Sequence, residues 1–178
     1  MRKFFLIIMA VAVTFSGIYL YKSDGVSIRI SASDEDKRRL ITAVKYYMPV
    51  EMLDTILTDD IKISYRESIP GGHGMCIAGY VRGNSVTLVD NADLVTILHE
   101  FIHVYDDKMK LSSTEEFLYL YEKYKDSIIF RFRTAEKDVE YVRDSNSEFF
   151  AECYAYYLSG DFSCDEMEDY FGSIAAKR

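Results

Sequence analysis

The chain has 178 residues, of which 49% are hydrophobic, and a formal net charge of −8 at pH 7. This length and composition suit one globular domain with a hydrophobic core, and they exclude a disordered chain. An acidic chain is repelled by the phosphate backbone, so the charge also argues against nucleic acid as a partner.

The first segment differs from the rest of the chain. Arg2 and Lys3 precede a run from Phe4 to Tyr21 that contains no charged residue. A basic start followed by an apolar stretch is typical of a signal peptide, and the run is also long enough to cross a membrane as a helix. We therefore predict a signal peptide or membrane-anchor helix at 1–21 and a single domain at 22–178. The protein is then secreted or held at the cell surface, touching the membrane only through this segment if it is not cleaved.

Three cysteines, Cys76, Cys153 and Cys164, follow the leader, with no metal-binding spacing. An odd number excludes a full disulfide framework. One disulfide between Cys153 and Cys164 remains open, although we expect most of these thiols to be free and buried.

The first part of the domain predicts a small sheet accompanied by helices. Alternating apolar residues and turn signals predict strands at 26–30, 61–65, 75–81 and 85–89. Ser33 begins a helix that ends at Pro49, and a short second helix follows to Leu57. The last two strands form a hairpin that turns at Gly83-Asn84.

The second part of the domain predicts helices only. The first covers residues 91–107, with Asp90 or Asn91 as its cap and apolar residues at three- and four-residue steps. Later helices are predicted at 112–126, 145–160 and 164–175, whereas residues 127–140 are ambiguous. Ser112 or Ser113 caps one of these helices and Ser145 caps another. A small sheet with helices, followed by helices alone, predicts an α+β domain.

The helix at 91–107 contains an HExxH motif formed by His99, Glu100 and His103. On a helix, residues four apart lie on one face with their Cβ atoms about 5–6 Å apart, so two imidazoles can bind one metal ion. Glu100 lies beside the first histidine, where it can act as a general base. Two histidines and a glutamate gain nothing from burial without partners, so the motif predicts a zinc site.

A catalytic zinc site needs a third protein ligand. His73, in a glycine-rich loop, is the only other histidine, and it fits a plain loop residue better than a ligand. Glu148 and Glu152 lie four apart on the helix that Ser145 begins, beside an apolar face, and they favour a His-His-Glu site. Glu152 could then hold His99 or His103 by its second ring nitrogen. Alternatively, Glu148 completes a capping box with Ser145, and Glu152 is solvated.

Residues 99–107, HEFIHVYDD, together with Tyr141 and EFFAE at 148–152, resemble the catalytic domain of anthrax lethal factor and the related Pro-Pro endopeptidases. These are gluzincin-type zinc metallopeptidases, and the resemblance covers roughly residues 90–160. It implies a compact zincin-like fold and Zn²⁺ held by His99, His103 and Glu148. It also implies that Glu100 is the catalytic base and that the Tyr141 hydroxyl points at the substrate carbonyl. Two features depart from the family: Ile102 replaces a frequent glycine, and the chain has no tryptophan.

From these observations we expect a secreted or surface-anchored zinc endopeptidase that hydrolyses extracellular or surface proteins. The peptide would bind in extended form along an edge strand. The alternatives are a zinc-binding surface or interaction domain of the same fold without turnover, and a membrane-anchored interaction module in which the motif is accidental. The sequence leaves the cleavage-site preference open, including Pro-Pro specificity.

Overall fold

The structure, a computed structural model, describes residues 10–14, 17–21, 27–56, 61–71, 76–128 and 136–176. Within them the fold is α+β, as the sequence predicted. The helices are α1 Asp34–Tyr46, α2 Val50–Ile56, α3 Leu94–Met109, α4 Glu115–Tyr124, α5 Glu136–Arg143, α6 Asn146–Ser159 and α7 Asp165–Ala176. The strands are β1 Ala10–Thr14, β2 Gly17–Tyr21, β3 Ser27–Ser31, β4 Lys62–Arg66, β5 Gly79–Arg82 and β6 Ser85–Val89.

The described strands form one sheet in the order β1-β2-β3-β4-β6-β5. The pairs β3–β4 and β4–β6 are parallel, and the other pairs are antiparallel. The predicted hairpin is confirmed as β5 and β6, although β5 is shorter than expected and begins at Gly79. Because β5 pairs only with β6 in this order, it is an edge strand.

The prediction of a helix in the N-terminal apolar run is wrong for its described residues, which form β1 and β2. The physical reason lies in their composition: Val11, Val13, Ile18 and Tyr19 are β-branched or aromatic residues, which favour strands. Among the described residues, the structure has no helix with the length and apolarity needed to cross a membrane.

Two helix caps differ from the predicted ones. The α3 helix is capped by Asp93, whose side chain accepts a hydrogen bond from the Thr96 N–H at 2.8 Å, and not by Asp90 or Asn91. Asn91 has a left-handed backbone conformation with φ 63°, in a turn before the helix. The α4 helix is capped by Thr114, because Ser112 and Ser113 belong to a short 3-10 turn.

The turn that precedes α3 is held by α1. Asp36 is buried, and its Oδ1 accepts a hydrogen bond from the Asn91 N–H at 2.8 Å. Arg39 donates a second hydrogen bond to the Asn91 carbonyl at 2.9 Å. Both bonds join residues more than fifty positions apart, so they fix the start of α3 relative to α1.

The centre of the core is the contact between α3 and α6. Ile97, Leu98, Phe101 and Ile102 of α3 are fully buried. On α6, the buried side chains include Phe149, Phe150, Ala151, Cys153, Tyr154 and Ala155. Burying a large apolar side chain contributes roughly 1.5–3 kcal/mol, so this packing fixes the two helices firmly against each other. The polar faces of α3 and α6 meet beside it.

Candidate metal centre and cleft

The two histidines of α3 converge on one point. Nε2 of His99 lies 3.0 Å from Nε2 of His103, and the ring centroids are 4.6 Å apart at an interplanar angle of 79°. His99 is buried, and the side chain of His103 is 17% exposed. The helical spacing of four residues therefore gives the convergence that the motif predicted.

Glu148 of α6 faces both histidines. Its Oε2 lies 3.2 Å from Nε2 of His99, and its Oε1 lies 3.4 Å from Nε2 of His103. Ligands about 2.0–2.1 Å from a tetrahedral zinc ion are about 3.3 Å from one another. The separations are close to this value, so the two imidazoles and the carboxylate form a group that could hold a metal ion. Glu148 N–H still donates to Ser145 Oγ at the helix cap, but the Glu148 carboxylate points at the histidines.

Glu152 lies one turn further along α6 and contacts His99. Its Oε2 is 2.9 Å from Nδ1 of His99, the ring nitrogen that does not face Glu148. Glu152 is only 3% exposed, so the interpretation of a solvated side chain is wrong. A carboxylate at this nitrogen orients the ring and makes the other nitrogen a better ligand.

Burial and the neighbouring charged groups shift the pKa values of His99 and Glu148 in opposite directions. Burial alone lowers the pKa of His99, but Glu148 and Glu152 outweigh it and raise that pKa to about 10. For Glu148, burial acts to raise the pKa, while His103 and His99 hold it well below its ordinary value. In this state Glu148 is ionised and His99 carries a proton, so binding a metal ion would require His99 to lose that proton.

Glu100 follows His99 on α3 and is 5% exposed. It lines the same cleft as the two histidines without belonging to the His99-His103-Glu148 group. The structure thus places the predicted general base beside the predicted metal ligands.

Tyr141 lies near the end of α5, next to the cluster. Its hydroxyl donates a hydrogen bond to Oε1 of Glu148 at 3.0 Å, and the residue is 60% exposed. Tyr141 is therefore not a core residue, and its hydroxyl lies at the edge of the candidate metal centre.

The cluster opens into a cleft of about 1230 Å³. Its lining includes residues 77–81, at and before the edge strand β5, together with parts of α3, Tyr141 and the start of α6. An unpaired strand edge beside a cleft can add a further strand by main-chain hydrogen bonds. The cleft can accordingly hold an extended chain next to the cluster.

The remaining sequence candidates are His73 and the three cysteines. His73 falls outside the described residues. Cys76, Cys153 and Cys164 are free thiols, with Cys76 exposed and Cys153 buried, so the possible disulfide between Cys153 and Cys164 is absent.

Sequence reasoning missed a buried polar connection between α3 and α6. Asp106, one turn after His103, accepts hydrogen bonds from the N–H and Oγ of Ser112 at 2.8 and 2.6 Å. Asn146 at the start of α6 donates to the Ser112 carbonyl at 2.8 Å. No sequence motif marks this set, because Ser112 reads as a helix cap and no spacing pairs it with Asp106 or Asn146.

Comparison with known proteins does not assign the chain to a family: no family model matches it, and no curated protein matches it.

Proposed function

We propose that the protein is a zinc-dependent endopeptidase with a zincin-like fold, of the kind that its resemblance to the lethal factor and Pro-Pro endopeptidase group implies. His99, His103 and Glu148 would hold the metal, and Glu152 would orient His99. Glu100 and Tyr141 would carry out the chemistry.

The observation that carries this proposal is the geometry around α3 and α6. The two imidazole Nε2 atoms lie 3.0 Å apart, and each lies 3.2–3.4 Å from one oxygen of the Glu148 carboxylate, with a further carboxylate, Glu100, next to one of the ligands in sequence. A site for binding alone needs no base, whereas hydrolysis does, and Glu100 lines the cleft beside the candidate ligands. The combination supports hydrolysis over storage of a metal.

Each residue then has a defined part in the reaction. Bound zinc supplies a Lewis acid that polarises a carbonyl and lowers the pKa of a water molecule. Glu100 accepts a proton from the attacking water and delivers it to the leaving nitrogen. The Tyr141 hydroxyl, which donates to Glu148 in the free protein, would turn to donate its hydrogen bond to the oxygen of the scissile carbonyl as negative charge develops there. Strand β5 would hold the peptide in extended form by main-chain hydrogen bonds.

The substrates that we propose are extracellular or surface proteins. The support is the basic and apolar start of the chain, which is typical of export, and the acidic domain that follows. A Pro-Pro bond has no N–H group to donate to an edge strand, so an enzyme that cleaves such bonds must hold them between aromatic side chains. A combinatorial peptide library read by mass spectrometry would give the cleavage preference.

Glu100→Gln tests the proposal. The variant should bind zinc as the wild type does, because Glu100 is not a ligand, and should lose peptide hydrolysis by several orders of magnitude. Zinc content and kcat are measured on the same samples. Glu122→Gln, an isosteric change of an exposed residue on α4, is the control and should keep full activity.

Two outcomes would contradict this account. Substantial hydrolysis by Glu100→Gln would exclude Glu100 as the base. Zinc-loaded wild-type protein that cleaves no peptide in the library would instead support a zinc-binding domain without turnover.

A further inference from the structure

Gly79, the first residue of the edge strand β5, lies directly against the side chain of Glu100. A Cβ atom built at Gly79 would lie 2.7 Å from Cγ, 2.7 Å from Oε1 and 2.9 Å from the carboxylate carbon of Glu100. Ordinary contacts of a Cβ atom begin at about 3.4 Å. A side chain at position 79 and the present position of Glu100 are therefore mutually exclusive.

Backbone conformation does not explain this glycine. Positive φ angles occur at Gly83 and Gly160 among the described glycines, and not at Gly79. A glycine within a strand weakens it and commonly marks a close approach by another group. Here the approaching group is the carboxylate of Glu100.

The backbone of Gly79 also faces the open edge of the sheet. Gly79 is opposite Leu88 in the register, and the Val89 N–H donates to the Ala78 carbonyl at 2.8 Å. This bond makes Gly79 and Leu88 a pair that does not exchange hydrogen bonds. The N–H and C=O of Gly79 consequently point away from β6, to the side on which an added strand would pair.

From these two observations we propose that Gly79 is a positioning residue, which sets the distance between Glu100 and the strand that pairs with the substrate. Its missing side chain lets the carboxylate lie against the backbone of β5, and the same residue offers its main chain to a bound peptide. The Glu100 carboxylate is thereby held at a fixed position along an extended substrate, beside the peptide bond to be cleaved. This inference rests on the proposed peptidase function.

The first test is structural and needs no activity. In a crystal structure of Gly79→Ala, the Glu100 carboxylate should be displaced until its atoms lie at least about 3.4 Å from the new Cβ. His99, His103 and Glu148 should stay in place, and zinc content should match that of the wild type. Gly172→Ala is the matched control, because its added Cβ would meet only the Tyr157 hydroxyl, at 3.5 Å.

The second test is kinetic. Displacing a catalytic group by about 1 Å can cost on the order of 10²-fold in rate, so Gly79→Ala should lower kcat by roughly 10–100-fold with little change in KM. Gly172→Ala should leave both constants unchanged. Aspartate is one methylene shorter than glutamate, so adding Gly79→Ala to Glu100→Asp should lower kcat by a smaller factor than adding it to the wild type.

Distinct results would overturn the inference and the proposed function. An unmoved Glu100 carboxylate in Gly79→Ala, or unchanged kcat in that variant with zinc bound, would contradict the role of Gly79. A zinc-loaded wild type without activity would contradict the proposed peptidase function. In that case the crystal structure of Gly79→Ala would still show whether a side chain at position 79 displaces the Glu100 carboxylate. If Gly79→Ala does not fold, combining it with Glu100→Ala should restore folding, and failure to do so would contradict the proposed clash.

Discussion

At the residue scale, the Tyr141 hydroxyl lies where its one proton can be donated either to Glu148 or to a substrate. Its hydroxyl donates to Glu148 at 3.0 Å, and its ring is exposed to the cleft. If this hydroxyl turns from Glu148 to the oxyanion during the reaction, Tyr141→Phe should lower kcat by roughly 10²–10³-fold, with little change in KM. Zinc should remain bound, because His99, His103 and Glu148 are intact.

The control for this prediction is Tyr119→Phe, since Tyr119 is 62% exposed on α4 and does not line the cleft. Its kcat should equal that of the wild type. An unchanged kcat in Tyr141→Phe would show that the hydroxyl only supports Glu148.

Glu152 provides a second prediction at this scale. Its carboxylate faces Nδ1 of His99 at 2.9 Å, and partners of this kind typically contribute 10–100-fold to metal affinity. Glu152→Gln should therefore weaken zinc binding by about that factor while keeping a stoichiometry of one ion per chain. Competition with a chromophoric chelator measures the affinity. An affinity equal to that of the wild type would show that packing alone orients His99.

At the scale of elements, the connection between α3 and α6 depends on Asp106. Its two oxygens accept hydrogen bonds from the N–H and the hydroxyl of Ser112, and all these groups are buried. A hydrogen bond to a charged group contributes about 1.5–3 kcal/mol. Ser112→Ala should lower the free energy of unfolding by about that amount, measured by urea denaturation. Ser113→Ala, next to it and exposed, should stay within about 0.5 kcal/mol of the wild type.

The positions of the helices and the caps Ser33 and Ser145 followed from the sequence, whereas the caps of α3 and α4 did not. Apolar periodicity is a local property, so α1, α3 and α6 were predicted within a few residues of their observed bounds. Near α3, three residues suited to capping, Asp90, Asn91 and Asp93, stand close together. The choice among them is made by contacts from α1, because Asp36 and Arg39 hold Asn91 in the preceding turn. Such long-range contacts leave no local signal.

At the scale of the whole molecule, the parts of the site that depend on local spacing could be predicted from the sequence, and the parts that depend on long-range packing could not. The convergence of His99 and His103 follows from their spacing on one helix. The approach of Glu148 and Glu152 requires α6 to pack on α3, which their apolar faces suggested and the resemblance sharpened. The approach of Gly79 to Glu100 depends on the distance between β5 and α3, and no spacing in the sequence encodes that distance.

Zinc would also connect the two central helices of the fold. His99 and His103 belong to α3 and Glu148 belongs to α6, so a bound ion adds a link across the core contact. A ligand that binds only the folded state stabilises it by mass action. Binding of zinc would therefore also raise the free energy of unfolding of the whole domain.

The most direct test is the zinc content of the purified protein and of its ligand variants. Elemental analysis after mild dialysis should find about one zinc ion per chain in the wild type. His99→Ala, His103→Ala and Glu148→Ala should lose the metal, whereas His73→Ala should keep it. A wild-type protein without metal, or loss of zinc in His73→Ala but not in Glu148→Ala, would contradict the metal site proposed between α3 and α6.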